Sequence, residues 1–154
     1  MNSDKYRYVT NEIPLDFQFE SDGPKGKIKK LVSYTLQNAG GFSYFNLAFG
    51  DIDETTGELN DLARSDNEDR NKILATIAAT VIEVTENFPD IMVYAEGSTP
   101  AGTRLYQIGI AANWEEIESV LTVYGLINGK WQPFTKNVNY EAFMGLRKKR
   151  NFAE

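Results

Sequence analysis

Residues suited to binding an anion are concentrated between Gly97 and Arg104. Thr99 suits the N-cap of a helix, and Pro100 suits the first helical position, where a missing N–H loses no hydrogen bond. Gly97 and Gly102 would leave the backbone N–H groups uncovered, and Arg104 would lie one turn into the helix. Hydroxyls, free N–H groups and a cation at the positive end of a helix are typical of an anion-binding site. The residues predicted to bind the anion are Ser98, Thr99, Gly102, Thr103, Arg104 and, from a second helix, Arg70.

The same segment also has a purely structural interpretation. In it, Thr99 is an ordinary N-cap, and Arg104 pairs with Glu96 or with a carboxylate of the acidic loop before the first helix. The segment lacks the Lys-Ser/Thr ending of a P-loop and does not match a dinucleotide fingerprint. If the two helices begin at the same end of the sheet, Arg70 and Arg104 would share one pocket. Alanine variants of both arginines, tested against a ligand screen, would decide this.

A second group of charged residues is acidic and lies in a predicted loop and the start of a predicted helix. Asp51 and Asp53 alternate as they do at the start of a calcium-binding EF-hand loop. That loop requires Gly at its sixth position and Glu at its twelfth, where this chain has Thr56 and Leu62. A solvated acidic loop is therefore favoured, and no metal or cofactor is predicted. The acidic residues are Asp51, Asp53, Glu54, Glu58, Asp61, Asp66, Glu68 and Asp69.

The composition excludes several classes of catalytic site. The chain has 154 residues and contains neither Cys nor His. Without Cys there is no thiolate nucleophile or Cys-bound zinc, and without His there is no Ser-His-Asp triad within the chain. A small enzyme acting on a phosphorylated or nucleotide substrate is one alternative function. Phosphoryl transfer depends largely on positioning and charge, which acidic residues together with Arg70 and Arg104 would supply.

The charge balance disfavours a nucleic-acid partner. The net charge is −6, whereas non-specific binding to nucleic acid depends on neutralising phosphates. Basic residues nevertheless cluster at 147–150 and at Lys25, Lys27, Lys29 and Lys30. A sheet exposing aromatic residues beside Lys27, Lys29 and Lys30 would stack single-stranded bases, which is a second alternative function. The pattern also fits a buried aromatic core with lysines along a solvated strand.

Three predicted strands precede the helices that would position these residues. Apolar residues alternate with polar ones over residues 15–20 and again over 27–36, which is typical of half-buried strands. Residues 42–52 are apolar on both faces, which predicts a central strand. Short turns between the three predict an antiparallel meander. The inward set of the second strand is predicted to be Ile28, Val32, Tyr34 and Leu36.

Two helices and a hairpin follow. A long helix is predicted after Ser65 or Asp66, with Ser65 and Glu68 as a capping box; it ends before Pro89. A short strand over 91–95 leads to a second helix over about 99–113. Asn-Gly at 128–129 predicts a hairpin over 121–134, and residues 140–147 are predicted to form a short terminal helix. The apolar positions of the long helix are Ile73, Ile77, Val81, Val84 and Phe88.

These elements predict an α+β fold: a mainly antiparallel sheet of five to seven strands with two principal helices packed on one face. A single domain is expected over residues 1–154, with ends frayed at about 1–4 and 148–154. No apolar run approaches the ~20 residues that span a bilayer, and no apolar signal segment follows the first residues. A cytoplasmic protein without membrane contact is therefore predicted.

Six segments carry a family resemblance: 23–30, 50–53, 69–76, 97–100, 103–107 and 123–127. Through them nearly the whole chain resembles a family of small uncharacterised proteins found mainly in Bacteroidetes. The resemblance implies a bacterial protein and implies no particular activity. Many members of that family have an arginine where this chain has Gly102, so this chain has one cation fewer beside the predicted helix start.

The leading hypothesis is a cytoplasmic, non-enzymatic binding or interaction module with an anion-receptive helix start at 97–104. Its expected partner is a small anionic ligand or another protein. A subunit whose site forms only with a partner is a further alternative, for which the basic residues at 147–150 would provide the contact.

Overall fold

The computed structural model describes residues 4–10, 15–60 and 66–149. Nine strands and three helices occur in these ranges. They are β1 Val9–Thr10, β2 Asp16–Gly23, β3 Gly26–Ala39, β4 Phe42–Ile52, β5 Leu59–Asn60, α1 Arg70–Asn87, β6 Met92–Ala95, α2 Pro100–Ala112, α3 Trp114–Glu118, β7 Leu121–Ile127, β8 Lys130–Pro133 and β9 Ala142–Arg147.

The strands form one mostly antiparallel sheet in the order β1-β2-β3-β4-β6-β9-β7-β8, with β5 pairing with β4. The predicted α+β class and the β2–β3–β4 meander are confirmed. The predicted count of five to seven strands is wrong, since nine strands lie in the described ranges. Two of the additional strands, β1 and β5, are only two residues long. The parallel pair is β4–β6, and the connection between parallel strands requires a crossover, which contains α1.

Strand β9 replaces the helix that was predicted over 140–147. It lies between β6 and β7 and pairs antiparallel with both. Phe143 faces the helices and is buried, while Met144 lies on the opposite face of the sheet. Local propensity could not indicate this strand, because β9 is held by hydrogen bonds to two strands that are distant in sequence.

Helix α1 begins later than its predicted cap. The N-cap is Asp69, so the capping role predicted for Asp66 is wrong, and Ser65 lies outside the described residues. The Oδ1 atom of Asp66 instead accepts a hydrogen bond from the Glu68 N–H at 2.9 Å. Glu68 has a φ of 60°, a left-handed backbone that delays the start of the helix.

The helices pack on one face of the sheet, as predicted. Residues of β4, β6, β7 and β9 that share this face line a common cavity with all three helices. The largest buried side chains on this side are Phe17, Phe45, Phe49 and Phe143. Of the predicted frayed ends, residues 1–3 and 150–154 lie outside the described ranges. No helix in the described part of the chain is long and apolar enough to cross a membrane.

Candidate functional site

Helix α2 begins as the sequence predicts. Thr99 is the N-cap, and its Oγ1 accepts a hydrogen bond from the Gly102 N–H at 3.1 Å; Pro100 occupies the first turn. The Thr103 N–H donates to the Thr99 carbonyl at 3.1 Å. The Gly102 and Thr103 N–H groups at the start of α2 are therefore already satisfied within the chain.

Gly97 covers the start of α2, contrary to the expectation that it would leave the backbone exposed. Its N–H donates to the Thr103 Oγ1 at 3.0 Å. A Cβ atom on Gly97 would lie 2.3 Å from the Thr103 nitrogen, so only glycine fits this contact. Anion binding by Ser98, Thr99, Gly102, Thr103 and Arg104 stays a prediction, and the geometry provides few free donors for it.

The cleft beside α2 has a volume of about 400 Å³ and includes Arg104, Glu96 and Glu141 in its lining. The predicted ion pair between Arg104 and Glu96 does not form among the described residues. Glu96 instead accepts a hydrogen bond from the Tyr94 hydroxyl at 2.6 Å.

Arg70 and Arg104 line two different clefts. Helix α1 lies in the connection from the end of β4 to the start of β6, and α2 begins after the end of β6. Because β4 and β6 are parallel, both helices begin at the same end of the sheet. The cleft that contains Arg70 includes Leu105 of α2 but not Arg104. The pocket predicted to contain both arginines is therefore absent from the described part of the structure.

The cleft in front of α1 is polar and has a volume of about 810 Å³. We call it the α1 cleft. It is formed by β3, β4, the segment leading into α1 and the first turns of α1, with one residue from α2. Its lining residues are Asp4, Lys30, Phe49, Asp66, Asn67, Glu68, Asp69, Arg70, Asn71, Lys72, Ile73, Leu74 and Leu105.

A buried ion pair forms part of the wall of the α1 cleft. Lys30 and Asp51 are direct cross-strand partners on β3 and β4. The Lys30 Nζ lies 2.5 Å from the Asp51 Oδ1, and the two side chains are 1% and 13% exposed. The prediction that Asp51 belongs to a solvated acidic loop is therefore wrong. Taking both charges out of water carries a desolvation penalty of several kcal/mol per ion.

Asp69 connects the N-terminal segment to the start of α1. Its Oδ2 accepts hydrogen bonds from the Tyr6 hydroxyl and the Ser21 hydroxyl, each at 2.5 Å. Its Oδ1 is buried and has no hydrogen-bond partner within the described residues. Burial raises the pKa of the Tyr6 hydroxyl, the hydrogen bond that it accepts from the Asp22 N–H lowers this pKa, and the neighbouring Asp69 carboxylate raises it further.

Asn67 is 1% exposed and holds the β2–β3 turn against the segment before α1. Its amide donates to the Gly26 carbonyl at 2.8 Å and to the Ser21 hydroxyl at 3.1 Å, and its Oδ1 accepts from the Lys25 N–H at 2.7 Å. Gly23 is required at this contact, because a Cβ there would lie 2.1 Å from the Asn67 carbonyl oxygen. The floor of the cleft is thus fixed by side-chain hydrogen bonds.

The first turn of α1 differs from that of α2 in having no side-chain cap. The N-cap Asp69 makes no side-chain hydrogen bond to the helix N–H groups. Lys72 lies 4.4 Å from the centre of the Tyr6 ring and 3.6 Å from an Asp4 carboxylate oxygen. Arg70 is exposed and forms no ion pair with any residue in the described ranges. The start of α1, which has no side-chain cap from Asp69, and the Arg70 guanidinium therefore belong to the same cleft.

A family model matches residues 2–148 of the chain. The chain belongs to DUF6934, a family of unknown function. No curated protein and no solved structure matches it.

Sequence reasoning missed Lys30, Asn67 and Asp69 as members of the site in this DUF6934 chain. The sequence did contain a signal for Lys30. It lies two residues from Ile28 and two from Val32, so it is on the same inward face of β3 as they are. A lysine in an inward phase indicates a buried charge, which requires a partner. No local pattern indicates Asn67, because its partners lie more than 40 residues earlier.

The helix-free face of the sheet carries a row of aromatic rings. Phe42, Tyr44, Tyr94 and Trp131 follow one another with ring centres 5.8–6.1 Å apart. On β3, Lys27 and Lys29 lie opposite Asp22 and Glu20, and they are eight or more residues away from the β3 positions opposite Phe42 and Tyr44. The aromatic row and the lysines are therefore separate. They do not form the joint aromatic and basic surface that binds single-stranded nucleic acid.

The acidic loop is organised by its own hydrogen bonds. The Asp53 Oδ1 accepts from the N–H groups of Thr55 and Thr56 at 2.8 and 3.1 Å. Among the described residues no group of three or more acidic side chains is arranged to hold a metal ion.

Proposed function

We propose that this protein is a binding module that holds a small anionic ligand, with a phosphate or carboxylate group, in the α1 cleft. The observation that carries the proposal is that two unfavourable features of the fold occur together there, beside the start of α1 and the exposed Arg70. They are the buried Lys30–Asp51 ion pair and the left-handed backbone of Glu68.

Each feature lowers the free energy of unfolding relative to a fold without that feature. A buried ion pair can often be replaced by apolar residues without loss of stability. A non-glycine residue in the left-handed region costs about 1–3 kcal/mol. Such features are typical of functional sites, and their concentration in one polar cleft supports assigning the site there.

The first turn of α1 supplies the donors. The helix dipole places about half a positive charge at this end, and the uncapped N–H groups of Asn71 and Lys72 point along the helix axis toward the cleft. Arg70 adds a planar guanidinium that can donate two parallel hydrogen bonds to a carboxylate or phosphate. Lys30 contributes a fixed positive charge beside Asp51 at the wall of the cleft. A bacterial cytoplasmic location is part of the proposal and depends on the family resemblance.

Isothermal titration calorimetry with inorganic phosphate at low ionic strength tests the proposal. We expect Arg70→Ala to weaken binding by about tenfold or more, because a hydrogen bond to a charged group contributes about 1.5–3 kcal/mol. The control is Lys130→Ala, which removes one positive charge from the exposed edge strand β8 and should leave the affinity unchanged. Arg104→Ala distinguishes the two helix starts.

Two results would refute the assignment. One is the absence of measurable heat with phosphate and with simple carboxylates. The other is a loss of affinity in Arg104→Ala that Arg70→Ala does not show, which would return the site to the start of α2.

A further inference from the structure

The polar α1 cleft adjoins an apolar cavity in the core, and Leu74 lines both. The cavity has a volume of about 80 Å³ and lies between the helices and the sheet. Residues such as Ala78, Val93, Leu121 and Phe143 line it, and each of these is buried. The Leu74 side chain therefore borders both the polar cleft and the apolar space.

The size and lining of the cavity indicate what it can hold. A cavity needs about 10–15 Å³ of this kind of volume to hold one water, and apolar cavities stay dry. An apolar cavity of about 150 Å³ binds benzene, which has six carbon atoms. A cavity of 80 Å³ is about half that size, so it has room for about three carbon atoms.

We infer that the ligand of the α1 cleft is an anionic amphiphile, with its charged head at Arg70 and a short apolar tail in this cavity. The inference rests on the function proposed above and adds the chemical class of the ligand. A head group alone would leave the cavity empty, whereas a tail of three carbons would fill it and gain the hydrophobic free energy of burial.

Leu74 is the residue that must move to admit the tail. It lies on α1 four residues after Arg70, and its Cδ2 would be 3.0 Å from a Cβ atom on Gly109 of α2. The glycine therefore gives the Leu74 side chain space next to the α2 backbone. A change of Leu74 between staggered rotamers would connect the cleft with the cavity without any displacement of the helices.

A series of straight-chain carboxylates tests the inference by calorimetry. Affinity should rise by about fourfold for each methylene between acetate and pentanoate, or about sixtyfold in total, because each buried methylene makes a similar contribution. Octanoate should bind no better than pentanoate, since the cavity is then full. An affinity that is independent of chain length would overturn the inference.

Two variants fill the cavity to different extents. Ala78→Leu adds three carbons from α1 and should abolish the dependence on chain length while leaving acetate binding intact. Gly145→Ala adds a single methyl group, whose nearest neighbour would be the Leu121 Cδ1 at 3.7 Å. This is an ordinary contact, so the variant should fold. Its total gain in affinity along the carboxylate series should be smaller by the contribution of about one methylene. Unchanged chain-length dependence in folded Gly145→Ala and Ala78→Leu would place the tail elsewhere and refute the inference.

The two proposals fail in different ways. If neither phosphate nor a carboxylate of any length binds in an Arg70-dependent manner, the proposed function itself is wrong. If acetate binds and requires Arg70 but longer chains gain nothing, the head-group site stands and only the amphiphilic ligand is excluded.

Discussion

The buried Lys30–Asp51 ion pair allows a direct test of whether the α1 cleft is built for stability or for binding. Lys30 and Asp51 face each other across β3 and β4, and Lys30 is 1% exposed. The informative perturbation is a double-mutant cycle of Lys30→Met, Asp51→Leu and the combined variant. Both substitutions keep a side chain of comparable volume and remove the charge.

The expected effects follow from the burial of the pair. Removing one partner of a buried pair destabilises a protein by about 3–5 kcal/mol, because the remaining charge is left in a low-dielectric site. Replacing both partners with apolar residues of similar volume is often neutral or stabilising. We therefore expect the double variant to be more stable than either single variant by about 2 kcal/mol or more, although it carries two substitutions in a well-packed region.

Urea unfolding followed by tryptophan fluorescence measures these free energies. Trp114 packs against Phe134 with ring centres 5.0 Å apart, so its emission should report the loss of the core. The slope of the free energy of unfolding against urea must agree among the four proteins, because a changed slope would indicate a changed denatured state. Natural domains have free energies of unfolding of about 5–15 kcal/mol. Each single variant should therefore either show a measurable unfolding transition or be unfolded already without urea.

A double variant whose destabilisation equals the sum of the two single effects would refute the reasoning. In that case the coupling free energy between the two side chains would be zero, and neither charge would compensate the other.

Three further predictions concern the fold. Thr99→Ala should destabilise the protein by about 1 kcal/mol in urea unfolding, because the Gly102 N–H loses its cap; an unchanged midpoint would contradict this. Gly125→Ala should cost about 1–3 kcal/mol, because its Cβ would lie 2.3 Å from the Tyr140 ring; an unchanged melting temperature would show that the ring moves freely. Burial raises the pKa of the Tyr34 hydroxyl well above 10, so the folded state keeps a proton that the unfolded state loses. Stability should therefore be constant below about pH 10 and fall above it by up to about 1.4 kcal/mol per pH unit for this tyrosine; constant stability up to pH 11 would contradict the shift.

The elements with strong local signals were predictable from the sequence. The apolar spacing of α1, the Thr99 cap with Pro100, and the Asn-Gly hairpin each depend on residues close together in the chain. The β2–β3–β4 meander was predictable because alternation and short turns determine it. Strand β9 was not, since its neighbours β6 and β7 are distant in sequence, and the residues that form it carry no decisive local preference.

The candidate site was less predictable than the fold. The sequence indicated anion-binding chemistry at a helix start, and Arg70 belonged to that prediction. It could not show that Gly97 would close the start of α2, because that contact depends on how the loop after β6 packs. It also could not show that Asp69 would turn away from its own helix toward Tyr6 and Ser21, since those partners are 63 and 48 residues away.

Amide chemical-shift mapping during a phosphate titration tests the central claim most directly. If the α1 cleft is the binding site, the largest saturable shifts will occur at the N–H groups of Arg70, Asn71 and Lys72, and in Arg70→Ala they will need about tenfold more phosphate to saturate. Shifts confined to the N–H groups of residues 101–103, or no saturable shifts at either helix start, would contradict the account.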